Sequence, residues 1–273
     1  MKKTPADLSM PAASWSDDPV GGDEPVTTAV TPPRTGFAGW FGRPVFLEAR
    51  GPFELRALRR NPLWQGHGVP DGRRRPVLVI PGFLASPTSA DALVQVLRRA
   101  NWAAEIANVG RNSGPAYTGL ERAGDDLFDL VDRLGRPVTV IGHSRGGQFA
   151  RILAVRHPEL VTGVIAVGAP LLTKYPRFAP VRIPIEMLEI TWRRGTFGPV
   201  YPDREEAVDR DRFRPFPSEV RFTSIYSRTD GIVDWRACLD PAADVVEVST
   251  SHTGLINSVP GIQAVAGVLE AQI

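Results

Sequence analysis

The sequence predicts an α/β fold, with a mostly parallel sheet of about six strands, helices on both faces and a small cap insertion. Short β-branched and apolar runs alternate with segments of helical periodicity from residue 76 onward. Within these runs consecutive positions are apolar, which is typical of strands that are covered on both faces. Of the 273 residues, 42% are hydrophobic and 23% are charged, so the chain can bury a sizeable core.

Six strands and four helices can be placed in order along the chain. The strands are predicted over residues 76–80, 105–109, 137–141, 164–167, 220–225 and 245–248. Three helices are predicted between them, over residues 89–100, 119–134 and 145–157. A fourth closes the chain and carries Ile262, Val265, Val268 and Leu269.

The predicted domain organisation is a disordered tail over residues 1–35 and one domain over residues 36–273. The tail is rich in Pro, Asp, Ser, Thr and Gly and has too few apolar residues to offset the entropy of ordering it. Residues 40–64 mix apolar side chains with arginines, which predicts one or two short amphipathic helices packed on the domain. The same pattern leaves a peripheral membrane contact open as an alternative.

Composition and charge exclude several classes of protein. The formal net charge is only +2, and residues 73–75 form a single short run of arginines, so we expect no nucleic-acid binding. Cys238 is the single cysteine, which excludes an intrachain disulfide and a cysteine-based metal cluster. The spacings of common metal and phosphate motifs are absent, so we predict no metal and no cofactor.

The apolar runs and the start of the chain bear on where the protein is located. No apolar run approaches the roughly 18 residues of a transmembrane helix, and the lysines at the start precede no apolar stretch. A cytoplasmic protein is therefore expected. The oligomeric state is not indicated.

The sharpest motif is GHSRGG over residues 142–147. It lies between an apolar strand and an apolar helix, which is the context of a nucleophile elbow. A sharp turn of this kind lifts the hydroxyl of Ser144 above the carboxyl end of the sheet, and the flanking glycines avoid side-chain collisions. We therefore predict that Ser144 is a catalytic nucleophile.

A serine hydroxyl needs a base, and the chain has only four histidines. His143 lies inside the turn, where its side chain is expected to point away from that of Ser144, and His157 ends the following helix. His67 precedes the first strand of the sheet. His252 follows the last strand, and because parallel strands end at one edge of the sheet, it can meet Ser144 there. His252 is the predicted base.

The third member of a triad should be a carboxylate that follows the preceding strand. Residues 226–235 offer two, Asp230 and Asp234. We prefer Asp230, just off the strand and beside Gly231, and expect Asp234 to be a structural or surface residue. The chain order Ser, Asp, His is that of α/β-hydrolases.

Stabilising a tetrahedral intermediate requires two hydrogen-bond donors for its oxyanion. One predicted donor is the N–H of Arg145, which follows the nucleophile. The other is the N–H of Phe83, in the loop after the first strand, where Gly82 permits close approach. A plain turn between strand and helix is the alternative for that loop.

Together the motifs PGFLA, GHSRGG, SRTDGIVDW and SHTGL resemble, in this order, the lipase and esterase branch of the α/β-hydrolase superfamily. The resemblance covers about residues 76–270 and implies the triad Ser144, Asp230 and His252, with backbone donors at Phe83 and Arg145. Two departures stand out. Pro-Gly precedes Phe83 where many lipases have His-Gly, and no early antiparallel hairpin is found before residue 76.

Residues 171–220 interrupt the alternation of strands and helices with prolines, arginines and apolar side chains. We predict a cap that lines an apolar acyl site, with Met187, Leu188 and Trp192 in contact with substrate. A rigid excursion without contact to the pocket is the alternative. Asn112, in the loop over residues 110–115, is predicted to order the oxyanion loop or border the pocket, against the alternative of a plain turn.

The leading functional hypothesis is a serine carboxylic-ester hydrolase acting on a small-molecule or lipid ester, with apolar acyl groups favoured. An amidase, a thioesterase or an acyltransferase would use the same triad. A catalytically silent binding protein on the same scaffold is the alternative outside enzymes. Because all three triad residues are present, the enzyme is favoured.

Overall fold

Six parallel strands form the central sheet of this computed structural model, which describes residues 45–85, 87–171, 173, 190–191 and 201–273. The spatial strand order is β2-β1-β3-β4-β5-β6. The strands are β1 (Pro76–Ile80), β2 (Ala103–Ile106), β3 (Val138–His143), β4 (Val161–Val167), β5 (Arg221–Ser227) and β6 (Asp244–Val248). Every neighbouring pair is parallel, so the predicted α/β class with about six strands is confirmed.

Helices cover both faces of the sheet. They are α1 (Gly51–Arg60), α2 (Asp91–Arg99), α3 (Ala116–Leu134), α4 (Arg145–Arg156), α5 (Pro202–Arg212), α6 (Gly254–Asn257) and α7 (Val259–Ala271). Short 3₁₀ helices over Val45–Arg50 and Pro62–Gln65 flank α1. The predicted amphipathic helices of residues 40–64 are thus seen from residue 45 onward.

The two faces of the sheet bury separate apolar clusters. Val77 and Val79 of β1 pack with α1, α2, α6 and α7, whereas Leu78 and Ile80 pack with α3, α4 and α5. Side chains alternate between faces along a strand, so burial on both faces requires every residue of β1 to be apolar. This requirement explains the continuous apolar runs in the sequence.

The second strand lies earlier than predicted, at Ala103–Ile106 instead of residues 105–109. The prediction followed the apolar residues Ala107 and Val109, which are buried in the cluster beneath α3 although they lie past the strand. Ala107 still donates its N–H to the carbonyl of Val79, at 2.9 Å, as the chain leaves the sheet. The apolar residues of this buried loop therefore gave a sequence pattern that is typical of a strand.

The described C-terminal part of the predicted cap forms α5, which packs on α3 and α4. Val208 is buried in the cluster of that face. Glu205 accepts a hydrogen bond from the N–H of Ala116, and Arg156 pairs with Asp211 at 2.7 Å. These contacts join α5 to the helical layer.

The tail predicted over residues 1–35 lies outside the described residues, as does most of the segment 172–200. Within the described ranges, no helix is both long enough and apolar enough to cross a bilayer.

Candidate active site

The GHSRGG motif forms a sharp turn between β3 and α4. Ser144 has φ +54° and ψ −122°, a positive φ that is costly for a residue with a side chain. Its N–H donates to the carbonyl of Val167 at 2.8 Å, which ties the turn to the end of β4. A Cβ atom on Gly146 would lie 2.1 Å from the carbonyl oxygen of Ile80, so the turn leaves no room for a side chain there.

Asp230 and His252 form a buried hydrogen-bonded pair at the same edge of the sheet. Oδ2 of Asp230 lies 2.7 Å from Nδ1 of His252, and the two residues are only 2% and 6% exposed. The other oxygen, Oδ1, accepts the N–H groups of Ile232 and Val233 at 2.7 and 2.8 Å. With Nδ1 donating to the carboxylate, Nε2 is left as the basic nitrogen of His252.

Asp234, the alternative acid, plays a different part. Its side chain accepts the N–H of Arg236 at 3.0 Å and caps the short 3₁₀ helix Trp235–Cys238. The structure therefore brings Asp230, and not Asp234, into hydrogen-bond contact with His252.

Contacts around Gly168 and Gly82 connect the pair to the nucleophile turn. Gly168 directly follows Val167, the acceptor of the Ser144 N–H, and a Cβ atom there would lie 3.4 Å from the ring of His252. A Cβ atom on Gly82 would lie 3.0 Å from the Cβ of Ser144. The serine turn, the His252 ring and the loop after β1 thus meet around the carboxyl ends of β1, β3 and β4.

Opposing effects act on the pKa of His252. Burial disfavours the charged imidazole and lowers the pKa, whereas the charge of Asp230, the hydrogen bond to it and the charge of Glu48 raise it. The net result is a pKa above the ordinary value for histidine. The paired carboxylate therefore overcomes the cost of burying an imidazolium.

His143 is a second buried histidine beside the pair. Its ring centroid lies 4.6 Å from that of His252, and its Nε2–H donates to the backbone carbonyl of His252 at 3.0 Å. Burial, followed by repulsion from His252, lowers the pKa of His143 to about 3. His143 is therefore neutral at physiological pH and holds the backbone of its neighbour.

The side chains of Arg145 and Asn112 connect the loop over residues 110–115 with the predicted oxyanion loop. The guanidinium of Arg145 donates to the carbonyls of Asn112 and Gly114, at 2.9 and 3.0 Å, and lies 5.5 Å from the ring centroid of Phe83. Asn112 is buried, has φ +47° and donates its Nδ2–H to the carbonyl of Pro81 at 3.0 Å. Asn112 thus contacts the loop that it was predicted to order.

The segment of residues 45–60, here termed the N-terminal strap, contacts the loops that carry Asp230 and His252. Glu54 accepts hydrogen bonds from the hydroxyl of Thr250, at 2.9 Å, and from the N–H and hydroxyl of Ser251. Arg50 donates to the hydroxyl of Thr229 at 3.2 Å. Sequence analysis missed these residues, because nothing local marks them as partners of loops about 200 positions away.

The substrate contacts predicted at Met187, Leu188 and Trp192 lie outside the described residues. Over the ranges that the structure describes, no group of three or more His, Cys, Asp or Glu side chains is arranged to hold a metal ion.

Comparison with known proteins supports the same fold. Residues 75–184, from β1 past the serine turn, match the family model described as alpha/beta hydrolase fold. The mature lipase BlEst2 of Bacillus licheniformis is similar in structure, with a TM-score of 0.55 at 13% identity over 74% of this chain and 94% of that one.

Two further solved structures are similar at the level of the fold. The Paleococcus ferrophilus monoacylglycerol lipase has a TM-score of 0.50 at 15% identity, covering 76% of this chain and 97% of its own. The pyrethroid hydrolase PytH has a TM-score of 0.50 at 19% identity, covering 72% and 98%. The chain has the α/β-hydrolase fold. The predicted resemblance to α/β-hydrolases is confirmed at the level of the fold.

Proposed function

We propose that the chain is a serine carboxylic-ester hydrolase that acts on a small-molecule or lipid ester through an acyl-enzyme. The observation that carries the proposal is the buried pair of Asp230 and His252, 2.7 Å apart, at the sheet edge where Ser144 occupies a strained turn. A base oriented by a carboxylate and a serine at a helix N-terminus are the parts that acyl transfer requires. Two of the similar structures are named lipases, which favours esters.

In the proposed reaction the hydroxyl oxygen of Ser144 attacks the ester carbonyl, and Nε2 of His252 takes the hydroxyl proton. Asp230 stabilises the imidazolium through Nδ1–H. The N–H groups of Phe83 and Arg145 donate to the oxyanion of the tetrahedral intermediate. Collapse of the intermediate expels the alcohol, which receives the proton from His252, and leaves an acyl group on Ser144.

Water then hydrolyses the acyl-enzyme by the same two steps, with water as the nucleophile and Ser144 as the leaving group. His252 removes a proton from the water, the hydroxide oxygen attacks the acyl carbonyl, and the proton returns to the oxygen of Ser144 as the carboxylic acid leaves. In this scheme Asn112 and the side chain of Arg145 keep the oxyanion loop in place. In the cap predicted from the sequence over residues 171–220, Met187, Leu188 and Trp192 are the proposed contacts of the acyl chain.

The test is a panel of p-nitrophenyl esters of increasing acyl length, with matched amides and thioesters. Ser144→Ala should lower ester turnover by at least about 10⁴-fold and abolish labelling by a fluorophosphonate, since the attacking oxygen is gone. Ser218→Ala is the matched control, because Ser218 is exposed in the turn before β5. It should keep both activity and labelling.

Retained turnover or labelling in the Ser144→Ala protein would contradict the proposed nucleophile. Faster turnover of amides or thioesters than of every ester would contradict the proposed substrate class but would leave the proposed triad standing. An unlabelled wild-type protein would favour a binding protein over an enzyme.

A further inference from the structure

Two loops carry the acid and the base of the proposed triad, and the carboxylate of Glu48 bonds to both. The acid loop comprises residues 228–234, and the histidine loop comprises residues 249–253. Oε1 of Glu48 accepts the N–H of Gly231, next to Asp230, at 2.9 Å. The same oxygen accepts the N–H of His252 at 2.9 Å, and Oε2 lies 3.0 Å from that nitrogen.

These hydrogen bonds satisfy backbone donors that have left the sheet. Past the ends of β5 and β6, the N–H groups of Gly231 and His252 no longer face a neighbouring strand, and a carboxylate is a strong acceptor for them. The two bonds to Oε1 join residues 231 and 252 through a single atom. A shift of either loop would therefore change the distance between Asp230 and His252.

Glu48 also contributes charge at His252. The ionisable groups that face this imidazole are Asp230, hydrogen-bonded to Nδ1, His143, whose ring is 4.6 Å away, and Glu48 at the backbone. His143 is neutral at physiological pH, since its pKa is about 3. The carboxylates of Asp230 and Glu48 are thus the two groups whose charge favours the imidazolium.

We propose that Glu48 is a positioning residue for the triad, which fixes the acid loop against the histidine loop through Gly231 and His252 and adds a second negative charge at the base. This inference rests on the proposed serine hydrolase function. Glu54 differs in its contacts, because it bonds to Thr250 and Ser251 within the histidine loop only. Glu48 is the residue of the strap that joins the two loops through the carboxylate of one side chain.

The experiment measures kcat and KM per fluorophosphonate-titrated site, across pH, for wild type, Glu48→Gln and Glu48→Ala. We expect kcat to fall about 10-fold in Glu48→Gln and about 100-fold in Glu48→Ala, with KM nearly unchanged, because misplaced catalytic groups slow the chemical step. Glu270→Gln, at an exposed position of α7, controls for the loss of one negative charge. It should match wild type.

The pH profile separates positioning from support of the fold. Neutral His252 is the base, so kcat/KM rises with pH through its pKa, and removing a nearby negative charge lowers that pKa. The acid limb of Glu48→Gln should therefore move to lower pH. A role confined to folding would lower the number of titrated sites and the Tm but leave kcat per site and the acid limb unchanged.

Unchanged kcat per site and an unchanged acid limb in Glu48→Gln would overturn the inference, while wild-type labelling at Ser144 would leave the proposed function standing. If Glu48→Ala does not fold, the isosteric Glu48→Gln variant decides. A wild-type protein without any titratable Ser144 would overturn the proposed function and this inference together.

Discussion

Ser144 is held in place by its own backbone, whereas His252 is held by the side chains of distant residues. The serine turn depends on positive φ and on glycines that leave room for close packing. The histidine depends on Asp230, on the hydrogen bond that the ring of His143 donates to the His252 carbonyl, and on Glu48 of the N-terminal strap. The motif of the serine half therefore lies in one stretch of the sequence, whereas the histidine half is assembled from segments up to 204 residues apart.

The two halves therefore differ in the substitutions that they tolerate. The serine side excludes added atoms, because backbone lies directly against its glycines. The histidine side does not tolerate the loss of a partner, because buried N–H groups would be left without acceptors and a buried imidazolium without its carboxylate. Substitutions that add atoms test the first half, and substitutions that remove an acceptor or a charge test the second.

Among the variants that compare the two halves, Asp230→Asn on the histidine side should have the largest effect. An amide cannot stabilise the imidazolium and disturbs the tautomer of His252, so kcat should fall about 10⁴-fold in p-nitrophenyl ester turnover. Asp234→Asn is the matched control four residues away. It weakens the cap of a short 3₁₀ helix and should change kcat less than tenfold, since Asp234 bonds to Arg236. The reverse order would make Asp234 the triad acid.

On the serine side, Gly146→Ala should destabilise the fold by about 3 kcal/mol, because the added methyl would overlap backbone atoms that cannot move aside. The Cβ would lie 2.1 Å from the carbonyl oxygen of Ile80. Urea unfolding monitored by tryptophan fluorescence measures the change.

Gly267→Ala provides the control for this prediction. Gly267 lies in α7 with nothing within 4 Å of an added Cβ, so alanine there should stabilise the protein by about 0.5–1 kcal/mol. Equal stability changes in the two variants would show that the serine turn is not confined by its neighbours.

The smallest effect is expected at Asn112, which combines a positive φ with a side-chain hydrogen bond to a distant loop. Asn112→Ala removes the donor to the carbonyl of Pro81 and places alanine at φ +47°, which should cost about 1–3 kcal/mol in urea unfolding. The oxyanion loop begins at this carbonyl, so kcat should fall less than for Asp230→Asn.

Asn257→Ala is the matched control, because Asn257 makes the same kind of bond, to the carbonyl of Ser89 at 3.2 Å. It should lower stability but not kcat. A fall of kcat in both variants would indicate a general loss of rigidity and remove the special role of Asn112.

The local half of the site is also the half that sequence analysis could find. The strand 137–141, the GHSRGG turn and the helix from residue 145 lie in one continuous stretch, and their apolar periodicity and glycines follow from burial and close approach. Asp230 and His252 were located because parallel strands end at a common edge. Geometry at that edge then distinguished Asp230 from Asp234 as the partner of His252.

The remaining contacts depend on three-dimensional packing without a local pattern. Glu48 occupies an ordinary amphipathic segment, and its bonds to Gly231 and His252 arise only when the strap packs against the loops. The second strand was placed too late for a related reason, since Ala107 is buried by α3 after the strand has ended. The pattern of apolar residues predicts which residues are buried, but it does not predict which element buries them.

The bond between Glu48 and His252 gives the site an order of assembly during protein synthesis. Glu48 leaves the ribosome before any strand of the sheet, and His252 leaves it after the last strand has been made. A nascent chain that has not yet reached His252 lacks one of the two partners, so the bond cannot form until all six strands have been synthesised. Contacts between such distant positions are also among the slowest to form in folding. A cut in the N-terminal strap after Glu48 would leave every strand intact and would sever the chain that connects Glu48 to the loops it contacts.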